Sequence, residues 1–223
     1  MPAVTSPASP PPADARLRAR VVLLSGPSGS GKSSLAARVG LPTVCLDDFY
    51  RDGDDPALPV GELGIVDWDD PASWNADRAV AALVSLAREG RAELPVYDIP
   101  SNRAVDVHTV ALGDAPLVVA EGIFAAELVE RCRTAGILAD AVCLTNRPLV
   151  TFWRRLGRDL REGRKPPLTL VRRGLHLLRR EPRIVAHQVT RGATPLSTTD
   201  AVAHLRRLID ETAVAADRGE DAA

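Results

Sequence analysis

Lysine is almost absent from this chain. Of its 28 basic residues only Lys32 and Lys165 are lysines, and the other 26 are arginines. On a solvated face either cation serves, so the bias reads as compositional drift. A lysine kept against that drift marks a place where a compact ammonium on a thin stem is needed rather than a planar fork. Cysteine is scarce too. Cys45, Cys132 and Cys143 cannot all pair and have no metal-ligand spacing, which excludes a disulfide framework and suits a reducing cytoplasm. No apolar run approaches the roughly 20 residues that cross a bilayer. The first sixteen residues hold five prolines and no apolar block, so they do not read as a secretory signal. What remains, 223 residues with 45% hydrophobic and 26% charged, is the composition of an ordinary globular protein.

The net charge of −1 hides a strong segregation. Residues 47–70 carry nine acids against Arg51 alone, whereas residues 147–183 carry a net charge of +9. Either block alone is compatible with a solvated face. Residues 1–16 are expected to be a disordered tail, 17–216 one domain, and 217–223 a disordered polar end. Short Val- and Leu-rich runs at Val21–Ser25, Thr43–Leu46, Leu117–Ala120 and Ala141–Thr145 fit strands buried on both faces. Helical stretches at 32–39, 75–89, 123–135, 148–162 and 200–215 alternate with them. That alternation predicts an α/β fold of three α/β/α layers with a mainly parallel sheet and ligands at the strands' carboxyl ends. Residues 93–111 break the pattern as two strands about a Pro-Ser-Asn turn, an inserted hairpin placed to wall a substrate site.

The first strand runs into Gly26-Pro-Ser28-Gly29-Ser30-Gly31-Lys32-Ser33-Ser34 and then a helix. This is G-x-x-x-x-G-K-S in the strand–loop–helix context of a P-loop. Glycines let the backbone close around an anion, and successive N–H groups with the positive helix end hold phosphates. Lys32 reaches the outer phosphates, and the Ser33 hydroxyl is placed for Mg²⁺. Guanine-specific GTPases need an Asn-Lys-x-Asp run, which the one remaining lysine does not provide. Small-molecule kinases, ATP-dependent regulators and less typical ATPases stay open.

Asp47 and Asp48 follow the second strand, where a carboxylate beside the P-loop strand can orient or deprotonate an attacking hydroxyl. Five of the eight aromatic residues, Phe49, Tyr50, Trp68, Trp74 and Tyr97, are interleaved with the acids. Aromatic faces flanked by carboxylates suit a neutral, polyhydroxylated ligand with a flat ring and repel a phosphorylated one. Glu121, at the end of the buried run 117–120 and followed by Gly122, is a second candidate metal anchor. Arginines at 154–164 suit a mobile cover over the phosphates; base stacking on nucleic acid would need aromatics there.

The ordered set GPSGSGKSS, LDDFY, DWDDPASWN, PVYD…NR, VVAEGIF and RRLGRDLREGR resembles the uridine kinase (uridine–cytidine kinase) family over about residues 20–165. The resemblance implies transfer of phosphate from ATP or GTP, with Mg²⁺, to the 5′-hydroxyl of uridine or cytidine. It makes Asp47 the catalytic base with Lys32 beside it, and puts Ser33, Asp47 and Glu121 on the metal. Asp69 would hold the ribose, Tyr50 and Tyr97 would line the pocket, and Asn102 and Arg103 would complete it. Arg158 and Arg164 would be lid arginines on the ATP phosphates. The family's base-reading histidine is missing, with Asn102 its nearest polar counterpart, and Ile99 stands where the family has phenylalanine. The expected partners are a small-molecule nucleoside and ATP, with neither membrane nor nucleic acid, and with self-association possible. The alternatives are a kinase for a pantothenate- or sugar-type alcohol and a nucleotide-sensing regulator.

Overall fold

The computed structural model describes residues 17–61, 64–146 and 181–220. Five parallel strands form the central sheet: β1 (Arg20–Ser25), β2 (Thr43–Cys45), β5 (Leu117–Glu121), β6 (Leu138–Thr145) and β7 (Thr194–Ser197). Their spatial order is β2-β5-β1-β6-β7. All of β5, and β1 from Val21 onward, is buried because each face of the sheet has its own core. Val21, Leu23, Val118 and Ala120 turn to one side, where α2 (Ala76–Glu89) and α3 (Val129–Thr134) pack. Val22, Leu24, Leu117 and Val119 turn to the other, against Leu35 of α1 (Lys32–Val39) and Leu205 of α5 (Thr198–Glu220). Period-two alternation thus supplies both cores from the same strands, and the three-layer α/β/α reading holds.

Two expectations need correcting. Asp47 follows β2, but β2 pairs with β5 and not with β1. Chain order does not give sheet order, because the connection through α1 carries β2 past the place β5 later fills. The end of the chain also differs, since α5 stays helical to Glu220, beyond the expected limit at 216. Its Ala-, Glu- and Arg-rich stretch has helix propensity enough to continue without large apolar side chains. A further helix, α4, covers 181–190. The expected tail 1–16 and nearly all of the basic 147–183 segment, Arg158 and Arg164 included, lie outside the described residues.

The inserted hairpin is β3 (Arg91–Asp98) with β4 (Arg103–Ala111), antiparallel and separate from the main sheet. Its base follows α2, whose first turn is capped by the Asn75 carboxamide accepting from the Arg78 amide at 3.0 Å. The acidic segment between β2 and α2 is folded back by two short 3₁₀ turns, Leu46–Phe49 and Pro71–Ser73. Trp74 ties the two together. Its ring is buried against Phe124 at 5.7 Å between centroids, and its indole N–H donates to the Leu46 carbonyl at 2.6 Å.

Replacing Trp74 by Phe keeps most of the apolar contact but leaves the Leu46 carbonyl without that donor. The expected loss is about 1–3 kcal/mol of unfolding free energy by urea denaturation. Unchanged stability would show that the indole bond does not hold the acidic segment.

Candidate active site

The phosphate loop takes its shape from one contact that only glycine permits. Gly26 has φ of 143°, and a Cβ there would stand 2.7 Å from the Leu144 carbonyl oxygen of β6. The loop is braced from outside by Asn146, whose amide donates to the Ser30 carbonyl at 2.6 Å while the Thr198 hydroxyl donates to its own oxygen at 3.0 Å. Gly31, with φ of 94°, precedes α1 and offers no side-chain cap, so the first-turn amides face into the loop. Gly29 is also left-handed at 81°. Lys32 is buried and its ammonium donates to the carbonyls of Gly26 at 3.0 Å and Pro27 at 3.4 Å. Ser28 is half-buried, Ser30 buried and Ser34 exposed.

Beside Lys32 the carboxyl ends of β5 and β2 bring the acids together. The Ser33 hydroxyl donates to Glu121 Oε1 at 2.6 Å. Gly122 lets the Leu46–Asp47 segment lie against it, for a Cβ there would be 2.8 Å from Leu46 Cβ and 3.2 Å from Asp47 Oδ1. Burial raises the Asp47 pKa above the ordinary carboxylate range; Lys32 opposes that, Glu121 adds to it, and the Ile123 amide favours the charged form. The separate roles of Asp47 and Asp48 are plain here. Asp48 accepts from the Tyr97 amide at 3.3 Å and tethers the hairpin, whereas Asp47 faces the lysine's field.

A serine hydroxyl and two carboxylates that repel one another form an all-oxygen donor set suited to Mg²⁺. That ion takes one or two carboxylates and completes its shell from waters and phosphates. Among the described residues no three His, Cys, Asp or Glu side chains gather as a metal cage. The residues present therefore fit Mg²⁺ held jointly with a nucleotide.

The aromatics gather into one cluster, but Tyr50, Trp68 and Tyr97 are not among the residues lining the cavity described below. Tyr50 packs edge-on to Trp68 at 5.6 Å and lies 5.8 Å from Tyr97 and 6.1 Å from Phe124. Burial, then Asp47 and Asp69, raise the Tyr50 phenol, so it stays a donor, to the Trp68 carbonyl at 3.2 Å. Tyr97 donates to the Arg51 carbonyl at 3.0 Å. Asn102 and Arg103 stand apart from the cavity described next. Asn102 is the left-handed residue of the hairpin turn, its carbonyl accepting from Gly53, and Arg103 pairs with Asp54 on the surface at 2.9 Å.

A cavity of about 480 Å³ opens beside the phosphate loop, lined by Gly26–Ser28, Asp69, Ile123 and Phe124. That is within the size of small-molecule sites. Pro71, Ala126 and Glu127 continue the lining, and the facing wall is α4 and the residue after it, with Arg183, His187, Gln188 and Arg191. Sequence reasoning missed these, as it missed Glu127, which accepts from His187 at 2.7 Å and Arg191 at 3.0 Å. The spacing 183, 187, 191 at one helical face was the available signal.

No family model matches the chain. Uridine kinases do. That of Leuconostoc citreum is 28% identical over 156 residues, 66% of this chain and 71% of the relative. That of Borrelia garinii is 28% identical over 147 residues, 64% and 68%. That of Saccharomyces cerevisiae is 31% identical over 148 residues, 63% of this chain but 29% of the relative. In three dimensions a proposed fructose transport system kinase from Silicibacter superposes with TM-score 0.54 and 21% identity over 76% of this chain and 85% of its own. This chain is similar to uridine kinases and carries the phosphate loop of P-loop kinases. The similarity supports a phosphotransferase whose acceptor is an alcohol group. No described helix is long and apolar enough to cross a membrane.

Because the folded-state pKa of Asp47 is raised, its protonated form favours folding at low pH, and that contribution is lost as pH rises through the folded value. Where Asp47 is ionised it therefore opposes folding. In ligand-free protein Asp47→Asn is expected to raise Tm at pH 7, with the difference closing as pH falls through the carboxylate range. A lower Tm for the variant at pH 7 would contradict the assigned direction.

Proposed function

We propose that this kinase transfers the γ-phosphate of ATP to the 5′-hydroxyl of uridine or cytidine. The observation that carries the reading is Asp47, a carboxylate seated on Gly122 in the field of Lys32, next to the phosphate loop. A carboxylate there accepts the proton of the attacking hydroxyl as the oxygen closes on phosphorus in line with the leaving group. Lys32 draws negative charge toward the outer phosphates. Ser33, Glu121 and Asp47 would hold Mg²⁺, which when bound neutralises phosphate charge and orients the chain of phosphates. The loop amides bind the triphosphate of ATP.

The acceptor side supports a neutral sugar with a flat base. Phe124 gives the cavity an aromatic wall, with Tyr50 packed behind it, and Asp69 lines the cavity as the carboxylate for ribose hydroxyls. Glu127 pairs with Arg191 in the cavity wall, which lowers the positive charge an acceptor would meet. Arg183, with no ion pair among the described residues, lines the cavity with Pro27 and Ser28 and offers charge where the phosphoryl group passes. The lid role of Arg158 and Arg164 belongs to the same proposal, as does a cytoplasmic location, which the three free cysteines suit.

A coupled ADP-release assay over nucleosides, hexoses and pantothenate, with ATP and GTP as donors, tests the reading. Uridine or cytidine is expected to give the highest kcat/KM, and a preference for another alcohol would replace the proposed acceptor. Asp47→Asn is expected to lower kcat roughly 10²- to 10⁴-fold while ATP affinity changes little. Gly122→Ala, which must displace Leu46 and Asp47, is expected to lower kcat by roughly 10²-fold with the same pattern. Wild-type turnover in either variant would remove Asp47 from the mechanism.

A further inference from the structure

We propose that Gln188 is a positioning residue that holds the Gly122–Ile123 turn, and through it Asp47, in register with the phosphate loop. The inference rests on the kinase reading for its kinetic consequence but not for its geometry. Gln188 lies on α4, outside every motif of the phosphate loop and the acidic segment, and is only 3% exposed. Its amide nitrogen donates to the Ile123 carbonyl at 3.2 Å. Its amide oxygen accepts from the Cys143 thiol at 3.0 Å.

These two bonds join the two halves of the site. Cys143 is the register partner of Ser25, the last residue of β1 before the phosphate loop. Ile123 follows Gly122, on which Asp47 rests. One buried side chain therefore spans from the strand that flanks the loop to the turn that seats the base. The turn's other anchor is the Gly122 amide, which donates to the Leu24 carbonyl at 3.2 Å. That bond fixes the height of the turn along β1. Gln188 fixes its lateral position, because α4 approaches from the cavity side.

The chemistry of glutamine suits this role. A donor and an acceptor at the end of one stem satisfy a carbonyl and a thiol together, so no buried polar atom of the amide is left bare. A glutamate would set an oxygen against the Ile123 carbonyl, and an apolar residue would leave that carbonyl without its donor. Either change frees the turn by tenths of an ångström to an ångström, the scale at which reacting groups lose alignment.

The test compares Gln188→Met with Cys143→Ala. The first keeps side-chain volume and removes both bonds, while the second removes only the thiol bond and leaves the link to Ile123. In Gln188→Met kcat is expected to fall roughly 10- to 100-fold, with the KM values for ATP and acceptor within about twofold of wild type. In Cys143→Ala the Gln188 backbone stays anchored, its carbonyl accepting from the Ala193 amide at 3.1 Å, and the Ile123 bond remains, so kcat is expected to stay within about twofold while Tm falls from the lost packing. Amide hydrogen exchange on ligand-free protein is expected to quicken at Gly122 and Ile123 in Gln188→Met and not in Cys143→Ala. Should Gln188→Met not fold, Gln188→Asn, which withdraws the amide by one methylene, is expected to show the same split.

Equal kcat loss in both variants, or wild-type kcat in Gln188→Met, overturns the proposal. So does a raised acceptor KM at intact kcat, which would make Gln188 a substrate contact instead. If the wild-type chain turns over no alcohol, the kinase reading fails on its own, and exchange at Ile123 alone decides for or against the Gln188 link.

Discussion

Two strand ends approach in this molecule to a distance that a side chain on Gly122 would forbid. A Cβ there would overlap Leu46 at 2.8 Å, and on this close approach depends the rest of the site. It brings Asp47 from β2 and Glu121 from β5 to the neighbourhood of Ser33 and Lys32, which arrive from the loop after β1. Three strand ends then contribute to one small volume. The parallel sheet makes this possible by pointing all its carboxyl ends the same way, and the central position of β1 makes it local.

That volume sets two carboxylates beside a single ammonium, and the surrounding structure has to hold them in place. Burial and Glu121 act against ionised Asp47, so the arrangement opposes folding when Asp47 is charged. Trp74 and Gln188 answer from different sides, one by binding the Leu46 carbonyl and the other the Ile123 carbonyl. Both bonds go to backbone rather than to the acids themselves. Asp47 itself accepts from the Ile123 amide, so the turn whose carbonyl Gln188 holds also bonds the carboxylate, and its support comes through the peptide groups on either side of it.

Much of this was legible in the amino-acid sequence because the relevant signals are local. The phosphate loop, the Val-rich strands and the hairpin each sit within a few residues of chain, and the matching elements form where the pattern puts them. Sheet order was not legible, since β2 lies beyond β5 through pairing between distant segments. β7 was missed because it is a four-residue edge strand containing Pro195, mostly exposed, and so lacks the buried apolar run that marks the other strands. Asp47 and Asp48 are indistinguishable as adjacent letters; the 3₁₀ turn Leu46–Phe49 sends one toward Lys32 and the other to the hairpin. Asn102 was read as a base contact because it is polar and near the Tyr-Asp pair, but its left-handed φ of 50° marks a turn residue. The α4 wall left a weaker trace, a helical spacing of basic residues inside a generally Arg-rich region.

The scarcity of lysine finds its physical meaning at Lys32. The ammonium there binds two carbonyls of its own loop, those of Gly26 and Pro27, from a buried position beside Asp47. Its donors converge on a point, and a tetrahedral head can serve carbonyls on one side and phosphate oxygens on another by rotation about a single bond. A guanidinium spreads its donors over a plane and delocalises its charge, so it does not present donors to both sides from one atom. Drift toward arginine can therefore proceed at surface positions, where either cation meets water. At position 32 it would put a wider, flatter head where one ammonium now serves the Gly26 and Pro27 carbonyls from a buried position.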